Sequence, residues 1–141
     1  MVSKLIQPEL LKVNTFYHAS GNLSIIDPKN DSNLPFSIRR VYFLWNLSEN
    51  TTRGSHAHKE LQQLIIAING SLRIVLKREN ARLEFFLNKP DIGLYVPPGW
   101  WRELYEFTLD SRLIVIASQE YKESDYIRDE ETFKRWVLKN D

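Results

Sequence analysis

Arg53-Gly54-Ser55-His56-Ala57-His58-Lys59 holds two of the chain's three histidines, placed two residues apart and directly before a long β-like tract. On a strand, side chains at i and i+2 share a face, so His56 and His58 project together into whatever that face lines. Such a pair has two sharp uses. It can give two ligands to a metal, or it can supply a base and a partner for proton transfer. A third reading is a pair of surface histidines at a strand end. The flanking sequence chooses among the three.

Downstream, strand signals follow in close succession. Leu64-Ile65-Ile66-Ala67-Ile68 runs into Asn69-Gly70, the strongest short hairpin signal, and Leu72-Arg73-Ile74-Val75-Leu76 reads as the returning strand. Arg78-Glu79-Asn80 is a further turn, and Leu83 to Leu87 a further strand. Lys89-Pro90-Asp91 and Pro97-Pro98-Gly99 bracket Gly93-Leu94-Tyr95-Val96, and Leu104 to Phe107 and Arg112 to Ala117 complete the series. Upstream, Ile38 to Trp45 is apolar enough for a well-buried strand. Before it lie the loop-like Asp27 to Pro35, a short strand at Leu23 to Ile26, and a loosely alternating stretch over 3–19. Many short strands at this spacing predict a sandwich or closed barrel, an all-β fold. Only the end is helical in pattern. Phe133, Trp136 and Val137 fall at i, i+3 and i+4 behind the acidic Asp129, Glu130 and Glu131.

The totals narrow the function classes. A chain of 141 residues with no internal repeat or linker composition is expected to be one domain, spanning 1–141. Net charge is +1 with Lys and Arg scattered, so neither a nucleic-acid stripe nor a polybasic membrane patch is present. The absence of cysteine excludes disulfides, thiolate metal sites and a cysteine nucleophile. Met1 to Val13 lacks the apolar run of a signal peptide, and no tract approaches a transmembrane span, so a cytoplasmic protein is expected.

The spacing around the histidines then becomes specific. His56-x-His58 is followed after four residues by Gln63 and after six more by Gly70, and later comes Gly93-x3-Pro97-x-Gly99-x2-Arg102. These stretches resemble the paired cupin motifs, HxH-x(3,4)-E-x6-G and G-x(n)-P-x-G-x2-H. In metal-binding cupins the three His and the Glu hold a metal inside a small jelly-roll β-barrel. Here Gln63 (or Gln62) stands where the Glu would be, and Arg102 where the third His would be. An amide is a poor ligand, and a guanidinium is a cation with no lone pair to donate. The expectation is a retained barrel with its metal site lost. A cation beside two imidazoles suits an oxyanionic ligand, and a neutral imidazole can abstract a proton next to a carbonyl near pH 7.

A closer likeness is carried by four stretches: Ser37-Ile38-Arg39-Arg40-Val41-Tyr42-Phe43, Arg53 to Lys59, Gly93 to Val96, and Ser124-Asp125-Tyr126-Ile127-Arg128. In the same order they resemble the motifs of the WxcM-like sugar 3,4-ketoisomerases, cupins acting on dTDP-4-keto-6-deoxyglucose. The resemblance covers the chain from about Gly21 to the C-terminal helix. It implies a single cupin-type barrel with a short C-terminal helix, assembled as a homodimer that exchanges N-terminal strands. It also implies keto migration from C4 to C3 without metal or organic cofactor, towards 3-amino sugars. By position, His56 matches the base, His58 its partner, and Tyr42 a pocket hydroxyl able to donate to the enediolate. Arg53 matches a diphosphate contact, with Arg102, Trp101, Tyr105 and Lys59 completing the substrate-binding set. Many family members read Trp-His-Glu-Met-His where this chain has Trp101-Arg102-Glu103-Leu104-Tyr105. The Arg form resembles enzymes that leave C4 equatorial, the gluco product. His18 lies outside the motifs and reads as structural. Two competing readings are a nucleotide-sugar epimerase on the same barrel and a non-catalytic sugar-binding cupin.

Overall fold

The computed structural model describes residues 5–29 and 33–141, so residues 3 and 4 of the early alternating stretch and 30–32 of the predicted loop lie outside the described residues. Twelve strands, one 3₁₀ turn and one α-helix are present among them. Strands β1 (Glu9–Lys12), β4 (Arg40–Leu44), β6 (Gln63–Asn69), β9 (Ile92–Val96) and β11 (Arg112–Ala117) form one antiparallel sheet in the order β1-β9-β6-β11-β4. The second sheet runs β12-β5-β10-β7-β8, from β5 (Arg53–His58), β7 (Leu72–Arg78), β8 (Ala81–Leu87), β10 (Trp101–Tyr105) and β12 (Tyr126–Ile127). A small ribbon pairs β2 (Asn14–Phe16) with β3 (Leu23–Ile25). From β4 onward the chain repeatedly crosses between the sheets, giving a cupin-type jelly roll.

The main core fills the space between the sheets, with Ile65, Ala67, Leu72, Ile74, Leu94 and Leu113 at its centre. The apolar run of β6 is uninterrupted from Leu64 to Ala67 because both faces of that stretch are covered. Its outward Leu64 and Ile66 pack with Ile116, Val13, Ile26 and Phe36 of the N-terminal segment and strand β11. Helix α1 (Glu130–Asn140) covers the outside of the second sheet, where Phe133 and Val137 pack on Ala57, Trp101 and Ile127. Asp129 caps the helix, accepting from the Thr132 N–H at 2.8 Å.

Two sequence expectations change. Asn69-Gly70 does not close a hairpin, since β6 pairs with β9 and β11 while β7 pairs with β8 and β10. The turn is a corner carrying the chain from one sheet to the other. Gly70 has φ 70°, and a Cβ there would meet Thr108 Oγ1 and come within 2.7 Å of Ser111 Cα. The true hairpin of this region is β7–β8, turning at Glu79 with φ 53°. Strand β4 is also less buried than its composition predicts. It is an edge strand, and Val41, Phe43 and Trp45 on its outer side are 52%, 65% and 66% exposed.

Candidate active site

The two sheets part at one end to leave a cavity of about 510 Å³. The first sheet contributes Arg40, Tyr42 and Gln63, and the second contributes His56 and Arg102, with Arg53 and Arg128 near by. Four arginines thus face one space, and among the described residues no Asp or Glu lines it. Such a field selects an anion.

A bulge shapes the histidine strand. Arg102 pairs with His56 but Glu103 pairs with Gly54, leaving Ser55 as the extra residue. Gly54 and Ser55 take φ 83° and 55°. The glycine matters because a Cβ at Gly54 would come within 3.0 Å of the Arg102 carbonyl and 3.2 Å of its Cγ. The His56 ring folds back on this bulge, and its Nδ1–H donates to the Gly54 carbonyl at 3.0 Å. A carbonyl can only accept, so the Nε2 of this cavity-lining ring keeps its lone pair. Burial, and then the Arg102 charge, lower the His56 pKa to about 4. The ring is a free base at neutral pH.

His58 lies beneath, completely buried, with its ring 4.9 Å from that of His56 and 4.3 Å from that of Tyr126. Its Nδ1–H donates to Asp125 Oδ2 at 2.9 Å. Asp125 also accepts from the backbone N–H groups of Glu60 at 2.7 Å and Leu61 at 3.3 Å, so its carboxylate is fully engaged. The His58 Nε2 is buried with no hydrogen-bond partner among the described residues. Burial, and then Arg102, push the His58 pKa far down, which keeps this ring neutral as well.

Arg102 reaches across from the second sheet and is 2% exposed. Its guanidinium donates to Gln63 Oε1 and, at 3.3 Å, to the Trp100 carbonyl. Burial lowers its pKa to about 10, which leaves it a cation at neutral pH. The Gln63 amide nitrogen donates to the Tyr42 oxygen at 2.8 Å. Burial raises the Tyr42 pKa, so the hydroxyl keeps its proton. The two residues that replace metal ligands in the cupin pattern are thus bonded to each other. A guanidinium at one ligand position and an amide already engaged at another do not fit a metal ion, and no group of three His, Asp or Glu among the described residues is placed to hold one.

This geometry meets a consistent set of relatives. The WxcM-like, C-terminal family (FdtA) matches residues 6–138. The chain belongs to that family. A TDP-4-oxo-6-deoxy-α-D-glucose-3,4-oxoisomerase of Aneurinibacillus thermoaerophilus is 40% identical over 82% of this chain and 84% of its own. The 3,4-ketoisomerase QdtA of Thermoanaerobacterium thermosaccharolyticum, solved as a histidine-to-asparagine variant with TDP-4-keto-6-deoxyglucose, is 37% identical with a TM-score of 0.90, covering 96% of this chain and 97% of its own. WlaRB of Campylobacter jejuni, a TDP-quinovose 3,4-ketoisomerase, is 35% identical with a TM-score of 0.85, covering 93% and 99%. The chain is an isomerase of the cupin type.

Within this family member the expected site residues divide. His56, Tyr42, Arg53 and Arg102 line the cavity, and His58 sits just behind His56. Trp101 and Tyr105 do not line it, because β10 alternates and these two share the outer face, where Trp101 packs on Phe133. Lys59 faces a separate groove beside α1, with Arg135 and Lys139. Gln63, not Gln62, points inward, since Gln62 accepts from the Tyr95 hydroxyl at 2.6 Å. Arg40, Tyr126 and Arg128 also line the cavity and Asp125 stands behind it, roles that the sequence leaves open. Their signal was present in the two family stretches that contain them, but nothing local marks Asp125 as the partner of a histidine 67 positions away.

Proposed function

We propose that the chain converts dTDP-4-keto-6-deoxy-D-glucose to the dTDP-3-keto-6-deoxy sugar with C4 equatorial. The observation that carries this reading is one cavity holding a base-ready His56 Nε2, a protonated Tyr42 hydroxyl and the Arg102 cation. The C4 carbonyl acidifies the C3 proton, and His56 removes it while the electron pair moves to O4. Tyr42 donates to that oxygen and Arg102 stabilises its charge. As C3=O forms, the O3 proton released replaces the one taken up at O4. C4 takes up a proton that balances the one His56 removed from C3, so the isomerisation is proton-neutral. His58, held in a single tautomer by Asp125, packs edge-on behind the His56 ring and orients it. Arg53 at the cavity suits the diphosphate, where a planar guanidinium can bind bidentately, whereas Arg128 already pairs with Glu123 through two nitrogens. The equatorial C4 follows the resemblance of the Arg102 segment to gluco-producing enzymes. The 35% likeness to the TDP-quinovose enzyme supports it, quinovose being the gluco sugar. The keto product is set up for an aminotransferase, which would give a 3-amino-3,6-dideoxy sugar.

The proposal includes a homodimer. Val41, Phe43 and Trp45 form an exposed apolar row on an edge strand, a surface that favours association. Among the described residues strand β1 pairs along the β9 edge, in the register Glu9 to Tyr95, and a partner's β1 could supply the same pairing.

Proton NMR in D2O with the dTDP-4-keto sugar tests the reaction. Wild type is expected to form the 3-keto sugar with or without EDTA, His56→Asn to form none, and the C4–H couplings of product made in a parallel reaction in H2O to show an equatorial substituent. Deuterium at C3 without keto migration would indicate an epimerase, and binding without exchange a non-catalytic module.

A further inference from the structure

The Arg102–Gln63–Tyr42 chain has a direction. A guanidinium only donates, so the amide group that meets it must present oxygen. That leaves the Gln63 amide nitrogen to face Tyr42, and an amide nitrogen donates and does not accept. The Tyr42 oxygen therefore accepts from Gln63, and its own proton must point elsewhere. Tyr42 lines the cavity, and Gln63 occupies the bond that would turn the hydroxyl back into the wall.

We propose that Gln63 is a positioning residue that aims the Tyr42 hydroxyl proton into the cavity, making Tyr42 an obligate donor to a ligand oxygen. This rests on the proton-transfer reading above. It also gives a chemical reason for an amide at this position. A carboxylate here would accept from Arg102 and from the Tyr42 hydroxyl at once, turning that proton away from the ligand. Gln63→Glu changes one nitrogen to oxygen at nearly constant volume and reverses the polarity of the chain. Its added charge sits against the Arg102 cation, so the fold is expected to tolerate it.

The test is steady-state kinetics of keto migration, with dTDP affinity by calorimetry, for wild type, Gln63→Glu, Tyr42→Phe and the double variant. Tyr42→Phe and Gln63→Glu are each expected to lower kcat about 10²-fold, the cost of losing one preorganised donor. KM and dTDP affinity should move less than about threefold, because the donor acts on charge that develops only in the transition state. The double variant should lose about 10²-fold, not the roughly 10⁴-fold of independent effects. Gln63→Met, which lets the hydroxyl rotate freely, should lose about tenfold and serves as the deciding variant if the glutamate form does not fold.

A Gln63→Glu or Gln63→Met enzyme with wild-type kcat beside an impaired Tyr42→Phe would overturn the Gln63 role and leave the reaction standing. Multiplicative losses in the double variant would do the same. Wild-type activity in Tyr42→Phe would remove the donor role of Tyr42 and the Gln63 role with it. No keto migration in wild type would overturn the functional reading itself.

Discussion

His56 is a base made weak by its surroundings. Burial and the neighbouring Arg102 charge lower its pKa to about 4, against about 6.5 for a free imidazole. A general base works unprotonated, so kcat/KM is lost as pH falls through the free-enzyme value. A pH–rate profile is expected to stay level from pH 8 down to about 5 and to decline near 4. A decline centred at 6.5 would contradict a buried His56 base. Stability carries the same sign. Between about 4 and 6.5 the unfolded chain binds a proton that the folded chain refuses, so stability falls as pH is lowered through that window. Thermal melts from pH 7 to 4.5 should show this fall, and His56→Asn should reduce it, leaving the share contributed by His58, whose pKa is lowered too.

At the scale of elements, the short 3₁₀ turn Glu123–Asp125 and the two-residue β12 act as a clip over the histidine strand. Tyr126 pairs with His58 and Ile127 with Ala57, but the clip is held chiefly by Asp125 and its three hydrogen bonds. Asp125→Ala leaves two backbone N–H groups and the His58 Nδ1 without their acceptor. Urea denaturation should show a loss of about 3 kcal/mol. Keto migration should fall with it, because the His58 tautomer is no longer set. The corner at Gly70 is the second sensitive element. Gly70→Ala puts a methyl against Thr108 and Ser111 at a φ of 70° that alanine disfavours. A cost of about 2 kcal/mol or more is expected in the same assay.

For the whole molecule, the cavity lies where the sheets part, and the apolar row on β4 lies on the outer side of the strand that also carries Arg40 and Tyr42. Assembly through that row would brace the site wall. Light scattering after gel filtration is expected to give twice the 16.7 kDa of the chain. Phe43→Asp with Trp45→Asp should give the single-chain mass and a lower melting temperature. A wild-type chain that stays monomeric at high micromolar concentration would remove the dimer from the proposal.

By itself the sequence determined the fold class, the C-terminal helix and the shared face of His56 and His58, because period-2 and period-3.6 patterns are local consequences of backbone geometry. The spacing of Gln63 and Arg102 from the histidine pair likewise made both departures from the metal pattern readable. Only the tertiary structure decided that these two side chains bond to each other and aim Tyr42, since they come from opposite sheets. It also decided that Asn69-Gly70 turns a corner between sheets, that Trp101 and Tyr105 face away from the cavity, and that Asp125 holds His58. In each case the outcome depends on which strands become neighbours, and that choice is made by packing two sheets around one core, not by the residues next door in the chain.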